Sequence, residues 1–169
     1  MTRPLYRVRQ FWINLTHRLD EEEAAEIAAL LDPSLFKLFA QLSPGEQYHA
    51  GQVWHTLQQQ SEHDQDMWQA ALLHDVGKSR VRLNIVERSI YVLALRLMPA
   101  VAARWGQGKP SGLRRAFVVS KQHADWGANL VAQAGASERV VQLIRRHQDN
   151  QHTGADESLL ALMQADDSN

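Results

Sequence analysis

The chain reads as an all-α protein, a bundle of roughly seven to nine helices, on three observations. Helix-start signals recur from end to end: Asp20 before Glu21 and Glu23, Asp32 before Pro33, Ser43 before Pro44 and Glu46, Ser137 before Glu138, and Asp156 before Glu157. Between them, apolar residues return at helical spacing, as in Ala24, Ile27, Ala28 and Leu31. Strand signals are nearly absent, because runs such as Phe117-Val118-Val119 are short and helix-flanked.

The elements follow in order. Asp20 and Glu23 form a capping box that opens a helix over residues 21–31. Asp32-Pro33, an N-cap with proline at the first helical position, starts a short helix to about residue 42. Ser43 and Glu46 open a third helix, with His49, Val53 and Leu57 near one side. An apolar helix over 67–76 ends at Gly77, which reads as a left-handed terminator. The long section 80–113, split by Pro99 and by the loop 106–112, reads as a helical insertion or lid. That glycine-rich loop lacks the preceding strand and the Gly-Lys-Ser/Thr ending of a phosphate-binding loop. Helices over 117–134, ending at Gly135, and 138–147 come next, then a polar loop and a last helix over 157–166.

Composition narrows the function. A chain of 169 residues, 44% apolar, suits one domain, 1–169, with a substantial core. Eighteen basic residues against nineteen acidic give no broad footprint for double-stranded nucleic acid, although a local basic pocket can still take a nucleotide. The absence of cysteine excludes disulfides, thiolate metal sites and cysteine nucleophiles, so a transition metal has only imidazole and carboxylate to bind. Residues 1–9 are basic but precede no apolar run, unlike a secretory signal. The most apolar stretch, 85–105, is interrupted by Glu87, Arg88, Arg96, Pro99 and Arg104, so it reads as no transmembrane segment; a shallow membrane-surface helix is the alternative. The expected location is cytoplasmic, and no particular oligomeric state is implied.

Five places among the eight histidines and the aspartates carry a chemical signal: His49, the pair His74-Asp75, His123, His147, and Asp166 or Asp167. Each lies on or at the end of an expected helix, about one helical hairpin from the next, which is how a bundle gathers scattered ligands at one point. Adjacent helical residues point about 100° apart. His74 and Asp75 can therefore flank a metal from a helix end, or Asp75 can bridge two metals with its two oxygens. His17, His55, His63 and His152 read as surface or internally satisfied histidines, and the five tryptophans as core anchors, with Trp126 also a candidate pocket wall.

The string His74-Asp75-Val76-Gly77-Lys78 resembles the signature of the HD superfamily of metal-dependent phosphohydrolases. His49 matches the family's first histidine, and Ala165-Asp166 its late Ala-Asp, which favours Asp166 over Asp167. His123, in His123-Ala124-Asp125-Trp126-Gly127-Ala128, and His147 resemble the two further histidines of the dinuclear subgroup. The resemblance covers a motif core of about 47–167, outside which lie the first 40 or so residues and, within it, the segment 80–113. The HD-GYP group is not matched: Gln148-Asp149 follow His147 and no Gly-Tyr-Pro appears, which argues against cyclic di-GMP as substrate.

The resemblance implies one metal held by His49, His74, Asp75 and Asp166, and a second by Asp75, His123 and His147. The cofactors would be one or two divalent transition metals: iron, manganese, zinc, nickel or cobalt. It implies hydrolysis of a phosphomonoester or phosphodiester, with a nucleotide the expected small phosphorylated substrate, by metal-activated hydroxide. Asp75 would serve both metals, and Lys78 would act as a point cation for phosphate. Arg145 and Arg146 read either as substrate contacts or as a solvated face. Two alternatives stand beside this: a dinuclear iron oxygenase on the same scaffold, and a non-catalytic module that binds metal, nucleotide or a partner.

Overall fold

The computed structural model describes residues 17–59, 64–149 and 156–169. Among these the protein is all-helical, with no strand. We number the α-helices α1 Glu21–Leu30, α2 Pro33–Phe39, α3 Pro44–Gln58, α4 Gln65–Leu73, α5 Ile85–Leu97, α6 Pro99–Trp105, α7 Arg115–Gln133, α8 Glu138–Arg146 and α9 Glu157–Ser168. Short 3-10 turns occupy Val76–Arg80 and Gly112–Arg114.

Local chemistry places the helix starts. Asp20 accepts from the amide of Glu23 while Glu23 accepts from the amide of Asp20, closing the capping box of α1. The side chains of Ser137 and Asp156 cap α8 and α9. Asp32 sits at the N-cap of α2 without a side-chain cap bond, so proline at N1 carries that start. After α7, Gly135 takes φ 92° and Ala136 donates to the carbonyl of Val131 at 3.0 Å, a left-handed helix stop that favours glycine.

Gly77 does something other than the expected left-handed stop. The helix ends at Leu73, His74 and Asp75 form a turn, and Gly77 lies inside the following 3-10 segment without a positive φ. Its role is close approach: a Cβ there would stand 1.9 Å from the carbonyl oxygen of His123 and 2.7 Å from the amide nitrogen of Gly127. Gly77 and Gly127 let the turn after α4 lie directly on α7.

The main core joins Ile27, Leu35, Trp54, Leu57, Leu72 and Ile144 with their neighbours from α1–α4, α7, α8 and α9. Only Trp54 among the described tryptophans is fully buried; Trp68 packs at the edge of that core, Trp105 beside a second small cluster, and Trp126 is half-buried outside both. Trp54, Trp68 and Trp105 thus meet the expectation of core anchors and Trp126 does not, while Trp12 lies outside the described residues. The second cluster, Ala94, Ala102 and Phe117 with Tyr91 and Trp105 against it, is what fastens α5 and α6 to α7. Tyr91 and Trp105 each meet Phe117 edge-on, at 5.4 and 5.3 Å between ring centres.

Candidate metal centre

Five polar side chains are buried among the described residues: Gln69, His74, Asp75, His123 and His147. Four of them meet at one place. His49 comes from the middle of α3, His74 and Asp75 from the turn ending α4, His123 from the middle of α7, His147 from just past α8, and Asp166 from the last turn of α9. The edge-on rings form a chain, with 5.4 Å between the centres of His49 and His74, 5.2 Å from His74 to His147, and 5.3 Å from His147 to His123.

Ring orientation is set by each histidine's own helix. Nδ1 of His74 donates to the carbonyl of Ala71 at 2.8 Å, and Nδ1 of His147 to that of Ile144 at 2.7 Å. Nδ1 of His123 is shared between the carbonyls of Val119 and Ser120 at 3.0 and 3.1 Å. Backbone acceptors of this kind fix the tautomer, leaving Nε2 as the lone-pair nitrogen.

Two groups of three can each hold a metal ion: His49, His74 and Asp166 in one, Asp75, His123 and His147 in the other, with the donor atoms of each group within 4.8 Å of one another. Oδ1 of Asp166 is 2.9 Å from Nε2 of His49 and 3.5 Å from Nε2 of His74. Asp75 divides its oxygens: Oδ2 lies 3.5 Å from Nε2 of His74 and Oδ1 3.2 Å from Nε2 of His123. Metal bonds of about 2.0–2.2 Å set neighbouring donors about 3–3.5 Å apart, so these spacings fit a metal. The buried Nε2 atoms of His74 and His123 and Nδ1 of His49 find no hydrogen bond. Orphaned buried nitrogens are costly unless something else is bound there, and a nitrogen–oxygen set with no thiolate suits a divalent transition metal.

The electrostatics show a site crowded with opposed charges. Burial works against charge on His74, but Asp75 and Asp166 override it and raise its pKa to about 9. Burial lowers His147 to about 3, helped by the nearby His74 and His123. Asp75 and Asp166 are held well below the usual carboxylate range; burial opposes this, and Lys78 and His74 dominate for Asp75, His74 and His49 for Asp166.

Lys78 is already committed. Its ammonium lies 2.5 Å from Oδ2 of Asp75, reached because the 3-10 turn puts i and i+3 on one side. Beside it opens a cavity of about 230 Å³, lined by Lys78 and His123 and by Leu83, Arg88, Tyr91 and Val92 of the 80–113 section. Arg88 donates to Oε1 of Glu46 at 2.7 Å, and the Tyr91 hydroxyl bonds that of Ser120. Sequence reasoning missed Arg88, Tyr91 and the second use of Glu46, because an arginine and a tyrosine on an ordinary helix carry no motif. Glu46 also retains the capping role, accepting from Ser43.

Other expected residues point elsewhere. Arg145 lies toward Asp125 and Asn129, and Arg146 pairs with Asp149. Trp126 faces Arg80, 5.3 Å from its guanidinium, and is not a wall of the cavity. His55 bonds Glu23, and His17 lies against Tyr48. His63 and His152 are outside the described residues.

The family model described as HD domain matches residues 12–167, starting well before the motif core. No curated protein and no solved structure gives a match.

Proposed function

From the premise that this chain belongs to the HD-domain family, we propose that it is a metal-dependent hydrolase of small phosphomonoesters or phosphodiesters, nucleotides foremost, working at a dinuclear centre. The chain would act as one catalytic domain. The observation that carries it is Asp75, whose two oxygens face two different histidine groups at 3.5 and 3.2 Å. A carboxylate so placed is suited to bridge.

His49, His74 and Asp166 would hold one ion, His123 and His147 the other, with Asp75 between. When bound, such ions bring water near neutral pKa and polarise a phosphoryl oxygen. The chain's own residues do the rest. Ala71, Ser120, Val119 and Ile144 carbonyls keep the imidazoles in the ligating tautomer. Lys78 balances Asp75 and, one-third exposed at the cavity, offers its remaining donors to a substrate oxygen. Arg88 is oriented by Glu46 and presents a second cation to the phosphate. Leu83 and Val92 supply the apolar wall for the organic part of the ester, and cavity size favours a small substrate.

The test is turnover by protein stripped of metal and reloaded with iron, manganese, zinc, nickel or cobalt, on nucleoside monophosphates and on aryl phosphomonoesters and phosphodiesters. Metal-dependent ester cleavage, abolished by chelator, is expected. Full metal loading with no cleavage, or iron-dependent oxygen uptake in its place, would contradict the hydrolase reading.

A further inference from the structure

Helix α5 carries an aliphatic stripe that the protein leaves exposed. Val86, Ile90, Leu93 and Leu97 recur at i, i+4, i+7 and i+11, a single helical stripe, and they are 65, 39, 57 and 64% exposed. The opposite face, turned to the protein, joins the buried Ala94 and the half-buried Tyr91 of the second cluster with polar residues. Glu87 takes Arg115 at 3.1 Å, Arg88 takes Glu46 at 2.7 Å, and Tyr91 takes Ser120. Ile85, Met98 and Leu113 extend the apolar surface, and with Val92, which lines the cavity, every large exposed hydrophobic among the described residues lies between 85 and 113. A patch so concentrated on a soluble surface marks a docking face.

Charge says what docks. Residues 80–115 hold eight basic residues against Glu87 alone, in a chain of 18 basic and 19 acidic residues, so the remainder is net acidic. Arg80, Arg82, Arg104, Lys109 and Arg114 are exposed. A second copy seated on this face by two-fold symmetry would set basic against basic. The chain's own residues 1–16, with Arg3, Arg7 and Arg9 and no acid, carry the same sign. The patch is aliphatic, with no aromatic anchor; its one hydroxyl in the stripe's arc, Ser89, is spent on the carbonyl of Ile85. A protein partner recognised by hot-spot contacts asks for more than that. A bilayer asks only for apolar area ringed by cations.

We propose that α5 and the basic, apolar section around it form a docking face for an anionic lipid surface. The protein would lie on the membrane, not cross it: among the described residues no helix is long and apolar enough to span. Two weak signals act together, the aliphatic stripe and the exposed cations of the same section, as stable interfacial binding requires. This proposal is independent of the hydrolase reading.

The test is flotation of the full metal-loaded chain with vesicles of phosphatidylcholine alone or mixed with phosphatidylglycerol. Flotation with the mixed vesicles only, weakened by raised salt, is expected. The double variant Leu93→Ser/Leu97→Ser should lower the bound fraction about tenfold or more, and Arg104→Glu/Lys109→Glu should lower it as well, both with unchanged helicity. Two results would overturn the proposal. One is protein left at the bottom with both vesicle types. The other is a self-associated species in sedimentation equilibrium that the leucine substitutions dissolve, which would make a second copy the occupant.

Discussion

The molecule breaks the rule of apolar inside and polar outside in two regions, and breaks it in opposite directions. At the junction of α3, α4, α7, α8 and α9, histidines and a carboxylate are buried where aliphatic side chains would pack at lower cost. On α5, aliphatic side chains stand in water while arginine and glutamate turn inward. The first region is braced by a continuous core and by backbone carbonyls that aim each ring. The second is fastened by the small cluster around Phe117 and a few polar bonds. Both depart from what folding alone favours, and in each the departure points to something bound: an ion in the first, a surface in the second.

The largest expected effect breaks the first region. Asp75→Asn removes the carboxylate that faces both groups. Loss even of a residue that only supports a ligand typically costs about 10–100-fold, so turnover should fall by at least about a hundredfold. Metal content should fall with it, which elemental analysis of the purified variant would read.

Gly77→Ala comes next. The added methyl would meet the carbonyl of His123 at 1.9 Å, so the turn must lift off α7. We expect a loss of about 1–3 kcal/mol or more in urea unfolding, together with weakened metal binding, because His74, Asp75 and His123 all sit at that contact. Unchanged stability would mean that the close approach is not needed.

A matched pair of leucines sharpens the comparison itself. Leu72, fully buried, should cost about 2–5 kcal/mol on truncation to alanine. Leu97, 64% exposed, should stay within about 0.5 kcal/mol when changed to serine. Equal losses would show that α5 is covered from within the chain.

The smallest effect concerns the cavity between the two regions. Arg88→Ala should raise KM severalfold for a phosphorylated substrate and change kcat less, as expected for a cation that binds phosphate without touching the reacting water. A fall in kcat alone, with KM constant, would remove Arg88 from substrate binding.

Much of this architecture was legible beforehand because its causes are local. Asp20, Ser137 and Asp156 cap their helices through neighbours three residues away, and Gly135 stops α7 by its own φ. The gathering of His49, His74, Asp75, His123, His147 and Asp166 was legible through the spacing of helical hairpins and the HD resemblance. What stayed hidden depends on partners distant in the chain. Gly77 reads as a helix stop until α7 is laid against it. Glu46 reads as a cap until Arg88, 42 residues on, reaches it. The section 85–105 reads as a helical insertion or lid with a membrane-surface helix as the alternative, since amphipathicity does not say which side meets the protein. Arg145 and Arg146 beside His147 read either as substrate contacts or as a solvated face, and only the structure shows Arg145 toward Asp125 and Asn129 and Arg146 on Asp149.

The central claim is the dinuclear site divided by Asp75. Its most direct test is the transition-metal content per chain of untagged protein purified without nickel or chelator. The account predicts close to two ions per chain, falling in the Asp75→Asn variant. One ion would remove either His49 and Asp166 or His123 and His147 from ligation, and none after reloading with iron, manganese or zinc would contradict the metal centre altogether.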